Sequence, residues 1–593
     1  MASLTTLFLT GMENAAKAQS SSPDSVIPAQ VDPSVIERLD DIEPGRIDQF
    51  DNPEIPPSQR PLPERQPTPT LPPPDELLRP PGEAPILPPA EEVPATIRVE
   101  RFEVIGSTVF DDDDFAEITA PYEGQELSFA ELLQVRSAIT QLYVDAGYVT
   151  SGAFIPPQTL DSDNTIVTIQ VLEGRVEEIN VEVEGRLRPG YVRRRLALAA
   201  SDPLNTNELL EGLQLLQLDP LIDTISAELA AGVRPGTSIL DVQVVQADTF
   251  AVDLEVNNGR SPSVGSFRRE IQISEGNLIG IGDGISVGYS NTDGSNTVDL
   301  SYVVPVNARN GTVAFSYGTT TSSVIEDEFE ILDIASDSRF YELTYRQPLY
   351  QSPTREFALS LTASRRESES EFLEDLLGEA IPFPSLGADE EGRTRISVLR
   401  FAQEWTQQGG QQVIAGRSQF SIGLDALDST INENGPDSRF FSWRGQGQWV
   451  KLLAADTILL VRGDIQLADA PLVPLEQFGL GGQQTVRGYR QDELLTDNGI
   501  LLSSEMRIPL VRARRIDGLL QIAPFVDIGH GWNLDATDPD PSLVASVGLG
   551  LLWRMGDRLS ARLDYGLPLV DTDTEGGSLQ EDGFYFSLRF TPF

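Results

Sequence analysis

Arg487 and Asp527 are the residues whose types and settings offer the most chemistry in this sequence. Arg487 lies in Thr485-Val486-Arg487-Gly488-Tyr489-Arg490, after Gly481 and Gly482, and glycine permits the tight turn that aims a guanidinium inward. A buried guanidinium needs a partner, because an uncompensated charge away from water is costly. A carboxylate accepts its forked donors two at a time, and Asp527, in the alternating run Phe525-Val526-Asp527-Ile528-Gly529, is the candidate. A solvated Arg487 and an ordinary turn-side Asp527 are the plainer alternative.

Little else in the chain is reactive. It has no cysteine, a single histidine, His530, and only two lysines, Lys17 and Lys451. Thiolate catalysis, Cys/His zinc sites and Ser-His-Asp triads not built on His530 are excluded, and lysine Schiff-base or phosphate-loop chemistry has almost no candidates. A lone histidine with no arranged serine and carboxylate reads as a loop residue. No catalytic, cofactor-binding or metal site is expected, and the chain is not read as an enzyme. The net charge of −48, from 91 acids against 43 bases, excludes a nucleic-acid binder, which needs a basic face. A cysteine-free chain of 593 residues suits an oxidising bacterial envelope.

The elements that would carry these residues fall into distinct stretches. Residues 1–20 hold a short apolar run and Ala16-Lys17-Ala18, and read as a candidate signal peptide without a basic start. Residues 21–52 contain Ser34–Phe50, a candidate amphipathic helix interrupted at Pro44. Residues 53–95, with sixteen prolines, read as an extended linker.

From Ile97 the pattern gives strand 97–104, helices 111–118 and 129–146, and strands 149–155 and 165–172, with Gly147 at a helix cap. The order β-α-α-β-β then recurs as strand 176–183, helices 191–199 and 207–216, and strands 224–229 and 239–245. Two tandem modules, 96–174 and 175–248, follow. Arg193, Arg194 and Arg195 form the only compact basic run, a solvated helix start or a patch for acidic clients and lipid headgroups.

From residue 249 to 593 the helical period gives way to alternation. Sixteen strands are expected, centred near Leu254, Ile271, Val287, Leu300, Phe315, Leu343, Leu359, Val398, Phe420, Trp443, Leu460, Leu502, Phe525, Leu549, Leu563 and Phe586. Long connections, such as 320–337, 365–392 and 467–498, alternate with short ones, such as 348–353 and 406–410. That parity is what a transmembrane antiparallel barrel with long outer loops produces. The last strand puts Phe584, Phe586, Leu588 and Phe590 on one face and Tyr585, Ser587 and Arg589 on the other, and the chain stops at the aromatic Phe593.

The motifs in combination carry a resemblance. Gln477-Phe478-Gly479-Leu480-Gly481-Gly482, the Val486-Arg487-Gly488-Tyr489 segment and Ser503-Ser504-Glu505-Met506-Arg507 resemble the sixth outer loop and following strand of the Omp85 superfamily. They are similar in particular to the TpsB transporters of two-partner secretion, the haemolysin secretion/activation proteins. Asn277–Asp283, leading into Ile285 and Tyr289, resembles an early barrel turn of these proteins, and Phe525, Asp527 and Gly529 resemble their Phe-x-Asp-x-Gly strand motif. The resemblance implies two POTRA domains before a sixteen-stranded outer-membrane barrel, and an Arg487–Asp527 pair that locks the loop to the barrel wall. It also implies a plug role for the N-terminal segment and a secreted β-helical exoprotein as partner. The expected function is recognition of the unfolded exoprotein in the periplasm and its export across the outer membrane. The alternatives are an Omp85-type insertase and, from another class, a passive porin or adhesin anchor.

The charge is sided. Eight expected outer loops carry 33 acids and 5 bases, or −28, within a barrel totalling −22, so the remaining barrel is +6. Contact with lipid and with lipopolysaccharide bridged by divalent cations is the expectation for that rim.

Overall fold

A computed structural model describes residues 54–67, 71–79, 96–158, 165–327, 329–374, 378–383, 385–433, 435–572 and 577–593. The candidate signal peptide and the Ser34–Phe50 helix lie outside the described residues. The chain divides into two compact units, one holding the modules and the other the barrel together with the N-terminal stretch up to Pro69.

The module unit begins inside the proline-rich stretch. A single helical turn, α1 (Pro74–Leu77), runs into a two-residue strand, β1 (Leu78–Arg79). Module one then comprises β2 (Ile97–Ile105), α2 (Asp112–Thr119), β3 (Glu126–Leu127), α3 (Phe129–Asp145), β4 (Gly152–Phe154) and β5 (Thr165–Leu172), in sheet order β3-β2-β5-β4. Module two comprises β6 (Arg175–Glu184), α4 (Pro189–Ala199), α5 (Thr206–Gln217), β7 (Ile222–Ala231) and β8 (Thr237–Gln246), and its sheet runs β1-β7-β8-β6. Module two repeats the expected β-α-α-β-β order, and module one departs from it only by the two-residue β3 between its helices.

Local chemistry fixes the helix starts. Ser128 caps α3 by accepting from the Glu131 amide while the Glu131 carboxylate accepts from the Ser128 amide at 2.6 Å, the reciprocal arrangement that satisfies two otherwise orphaned donors. Asp111 and Asp114 do the same for α2. Apolar side chains at helical spacing then face the sheets: Leu132, Val135, Ile139 and Tyr143 in module one, and Leu209, Leu213 and Leu216 in module two, all buried. A leucine fully removed from water contributes about 2 kcal/mol.

The two modules are tied at the α3 terminus. Gly147 has φ +93°, and an added Cβ would lie 2.5 Å from Asn207 Nδ2. The left-handed turn and the close approach thus both require glycine there. Asn205 Nδ2 donates to Ala146 O at 3.1 Å and Thr206 Oγ1 to Gly147 O at 2.8 Å. The basic run is absorbed locally, with Arg195 stacked 3.5 Å over the Tyr191 ring and Arg193 Nε donating to Ile179 O.

Glu173, in the turn after β5, gives the module unit an acid-sensitive point. Burial alone would raise its carboxyl, but hydrogen bonds from the Thr108 hydroxyl and amide, the Tyr143 hydroxyl and the Val109 amide outweigh that and hold it below the usual range. Its stabilising contribution is therefore complete above the unfolded value of about 4.3 and disappears as the pH falls through the lower folded value. Glu173→Gln is expected to flatten the loss of α3 hydrogen-exchange protection below about pH 4.3; an unchanged acid limb would exclude Glu173 as its origin.

The barrel has sixteen antiparallel strands. They are β9 (Phe250–Asn257), β10 (Arg268–Glu275), β11 (Gly284–Asn291), β12 (Ser295–Pro305), β13 (Thr312–Ser323), β14 (Ala335–Gln351), β15 (Arg355–Phe372) and β16 (Arg393–Gln408). The second half is β17 (Gln412–Leu424), β18 (Phe441–Ala454), β19 (Thr457–Ala468), β20 (Asn498–Ala513), β21 (Gly518–Trp532), β22 (Leu543–Met555), β23 (Leu559–Pro568) and β24 (Phe584–Phe590). Every expected strand centre falls in one of them. Successive strands pair and β24 closes on β9 from Ser587↔Asn257 to Phe590↔Leu254, so the sheet has no free edge. Closure of this kind satisfies the main chain within a bilayer.

The two-residue period separates the faces. On β21, Val526 and Ile528 are 52% and 44% exposed whereas Phe525 and Asp527 are 3% and 0%, which places an apolar surface toward lipid and a polar one inward. β14 and β15, at 17 and 18 residues, outrun the roughly 9–11 needed to cross a bilayer. The loop before β14 consequently ends sooner than expected, at 334, and the loop after β15 begins later, at 373. Val324, Phe329, Leu332, Phe372, Leu373 and Phe383 form a small apolar core beneath those loops, and this core explains the extension.

Candidate functional site

The loop between β19 and β20, residues 469–497, folds back into the barrel as a structured body. Phe478–Leu480 and Leu494–Thr496 pair as a short antiparallel ladder, and Phe478, Leu480, Val486 and Tyr489 form an apolar cluster with Leu501 and Val544 of the wall. Gly488 has φ +104°, a conformation other residues rarely tolerate.

That turn delivers Arg487 to the wall, where it is 1% exposed. Its Nε donates to Asp527 Oδ2 at 2.7 Å and Nη2 to Asp527 Oδ1 at 2.9 Å, a bidentate pair. Nη1 donates to Glu505 Oε2 at 2.6 Å, and the guanidinium carbon lies 3.4 Å over the Phe525 ring. The Asp527 fork, a single Glu505 oxygen and an aromatic face surround this planar cation on three sides, which offsets its desolvation.

The other motif residues act through space. Phe525, Asp527 and Gly529 share the inward face of β21; Phe525 supplies the stacked ring and Asp527 the fork. Gly529 leaves room, because a Cβ there would lie 2.7 Å from Leu480 Cδ2 and 3.0 Å from Val486 Cγ2. The Gly488 amide donates to Tyr585 Oη at 2.9 Å, Tyr585 donates in turn to Tyr489 O, and Tyr489 Oη donates to Ala545 O at 2.8 Å. Opposite, a Cβ on Gly566 of β23 would approach Gly488 N to 2.6 Å. Gly529→Ala meets only side-chain ends, whereas Gly566→Ala meets backbone. The second substitution should lower the temperature at which the barrel loses its heat-resistant gel mobility by several degrees more than the first, on the order of 1–3 kcal/mol of overpacking; equal shifts would contradict this seating.

Several pairings gave no signal in the sequence, although Arg490, Glu505 and Arg507 stand in the motifs themselves. Glu505 also accepts from Arg507 Nε at 2.7 Å and from Arg562, whose Nη2 also reaches Asp564 Oδ1 at 3.0 Å. Arg490 spans two outer loops through Glu326 at 2.8 Å and Glu581 at 3.4 Å. A second buried anchor holds the start of the loop: Arg400 of β16 donates to both Glu476 oxygens at 2.8 and 3.0 Å, and Arg366 of β15 donates to Leu475 O. Arg400 and Glu476 are both nearly fully buried.

The proline-rich stretch is more than a spacer. Residues 54–65 form a strap against the lumenal residues of the barrel. Glu54 pairs with Arg268 at 3.1 Å and lies 3.8 Å from Arg260. The Ser58 amide and hydroxyl donate to Glu342, and Arg400 Nε donates to Ser58 Oγ at 3.2 Å. Arg366 donates to Gln59 Oε1 at 2.8 Å, and both Arg507 Nη atoms donate to Glu64 at 2.7 Å. The arginines that hold the loop thus hold the strap as well: Arg400 and Arg366 near Glu476, and Arg507 beside Glu505.

His530 contacts Ser542 O through Nδ1 at 3.0 Å and stacks near Trp532. Among the described residues no group of three or more His, Asp or Glu side chains is arranged to hold a metal ion.

A closed sixteen-stranded barrel, preceded by tandem β-α-α-β-β modules and filled by an inward-folded loop, defines an outer-membrane transporter with periplasmic modules. The chain belongs to the haemolysin secretion/activation protein ShlB/FhaC/HecB family, whose model matches residues 236–552, and residues 97–174 match the ShlB-type POTRA domain. It is 24% identical over 489 residues to the outer membrane transporter CdiB of Escherichia coli O6:K15:H31 (strain 536 / UPEC), covering 80% of this chain and 79% of that protein. It is 20% identical over 490 residues to the heme/hemopexin transporter protein HuxB of Haemophilus influenzae (strain 86-028NP), covering 77% and 80%. The solved structure of CdiB from Escherichia coli matches with a TM-score of 0.64 at 19% identity, covering 86% of this chain and 92% of that one.

Proposed function

We propose that the chain exports one large, unfolded exoprotein, captured in the periplasm by main-chain pairing at a module sheet edge and threaded through the barrel once strap and loop yield. The observation that supports this reading most is the content of the lumen: a polypeptide segment, residues 54–65 with one turn at Pro56–Gln59, already lies there, held by arginines that the loop shares. Strand addition through backbone hydrogen bonds tolerates many client sequences, and a guanidinium-rich track can receive an extended chain without reading its sequence. The Arg487–Asp527 pair acts as the lock that fixes the loop to the wall at rest.

The exoprotein is of the elongated β-helical kind, and its folding outside the cell draws the chain outward. The acidic outer loops meet lipopolysaccharide through divalent cations that its phosphates help to bind; chelation should loosen these loops, and unchanged loop mobility would count against the contact. Deleting the gene tests the function: loss of one large secreted protein with other barrels at normal levels supports export. General depletion of outer-membrane proteins would instead indicate an insertase.

A further inference from the structure

We propose that the outer edge of β7 in module two is the client-docking edge, and that Pro74–Arg79 is its built-in occupant, displaced when an extended client segment with a leucine-like side chain arrives. This inference rests on the capture reading above and specifies its site and regulation.

Leu78 pairs in parallel with Ala227, and Arg79 with Glu228. The preceding Leu77 is 1% exposed and joins the module-two core with Leu209, Leu213 and Leu229. A two-residue strand, anchored by the buried leucine that ends the helical turn before it, is thus already added to the sheet, and strand addition is the geometry by which peptides are recognised at sheet edges.

The occupant is short by sequence. Pro72, Pro73 and Pro74 precede it and Pro80 and Pro81 follow it, and proline has no N–H with which to extend a ladder. Among the described residues, two of the ten β7 residues are paired on this side, so a client free of proline gains more main-chain bonds than the occupant makes there.

The other module edges suit a client less. β6 is long, but it carries Glu177, Glu178, Glu182 and Glu184, and charge along an edge deters incoming strands. In module one, β3 and β4 have two and three residues, β2 behind β3 carries Arg98, Glu100, Arg101 and Glu103, and on β5 behind β4 the Gln158 side chain already bonds the Thr168 amide and carbonyl. Among the described residues of the modules, β7 is the one edge that is long, weakly charged and backed by an apolar site.

The test uses the full-length protein in detergent and a fluorescent peptide with the sequence of residues 71–82. Leu77→Asp places an unpaired carboxylate in an apolar cluster and should release the native segment. Peptide affinity is expected to rise at least tenfold over wild type, while a peptide carrying the same Leu77→Asp change binds neither protein. Leu77 is one of eighteen buried side chains in that cluster, and wild-type protease resistance of module two verifies its fold.

A second variant leaves the core untouched. The chain has no cysteine, so Arg79→Cys with Glu228→Cys can form one disulfide that pins the occupant in place. In the oxidised form it should secrete the exoprotein at least tenfold less than either single cysteine variant. Unchanged peptide affinity in a protease-resistant Leu77→Asp protein overturns the self-occupied edge. Full secretion by the pinned variant overturns displacement by client. Failure of the export reading is distinguishable, because deletion of the gene would then leave the secreted proteins unchanged whatever the peptide does.

Discussion

Arg487→Ala should yield a barrel that inserts and closes but secretes its exoprotein at no more than about one-hundredth of the wild-type level, the scale set by losing one partner of a buried pair at about 3–5 kcal/mol. The geometry adds an asymmetry. Without the Arg487 guanidinium, Asp527, at 0% exposure, retains the Ser503 hydroxyl at 2.7 Å and the backbone amide of residue 487 at 3.3 Å, both neutral donors. Without Asp527, Arg487 still has Glu505 at 2.6 Å and the Phe525 ring. Asp527→Ala should therefore be the milder change, and the double variant should resemble Arg487→Ala rather than the sum of the two, as coupled residues do. Arg487→Lys keeps the charge but not the fork and should fall between wild type and Arg487→Ala. Secretion assays beside heat-modifiable gel mobility would measure all four, and equal defects in the two single alanine variants would contradict the two-sided clasp.

Reversing the strap's two acidic anchors should have the next largest effect. Glu54→Arg with Glu64→Arg sets cations against Arg260 and Arg268 at one site and Arg507 at the other. Each lost pair again costs about 3–5 kcal/mol, more than enough to shift an occupied lumen to a vacated one. Planar-bilayer recordings should show a larger and steadier conductance than wild type. In Glu54→Arg alone the increase should be partial, and adding Arg268→Glu should reverse it by restoring an opposite pair. Wild-type conductance from the doubly reversed protein would mean that the strap does not obstruct the pore.

The barrel was legible because its signal is local and repeated. Val526 and Ile528 against Phe525 and Asp527 is a two-residue period that can be read without knowing any partner strand, and all sixteen centres came from such runs. Ends were less legible: β15 reaches Phe372 because Phe372 packs with Leu332 and Phe383, contacts that no run of alternation announces. The Arg487 and Asp527 motifs could be read because glycines and an aromatic flank them. Glu505 stood in the Ser503–Arg507 segment with no partner assigned to it, and Arg562 and Asp564 could not be read at all, since each is one polar residue at an inward position like any other.

The strap was hidden for another reason. Its composition is that of a solvated spacer, and nothing in the residue run marks Glu54 and Glu64 as anchors. Module two hid its extra strand similarly, because Leu77-Leu78 among prolines is too short to carry a period.

The measurement that bears most directly on export is quantitative secretion in a strain lacking this gene, complemented with wild type or with Arg487→Ala, with outer-membrane barrels assayed in the same cells. One large extracellular protein should vanish on deletion, return with wild type and stay absent with Arg487→Ala, while other barrels keep their levels. Undiminished secretion in the deletion strain, or a general loss of outer-membrane barrels, would contradict the account.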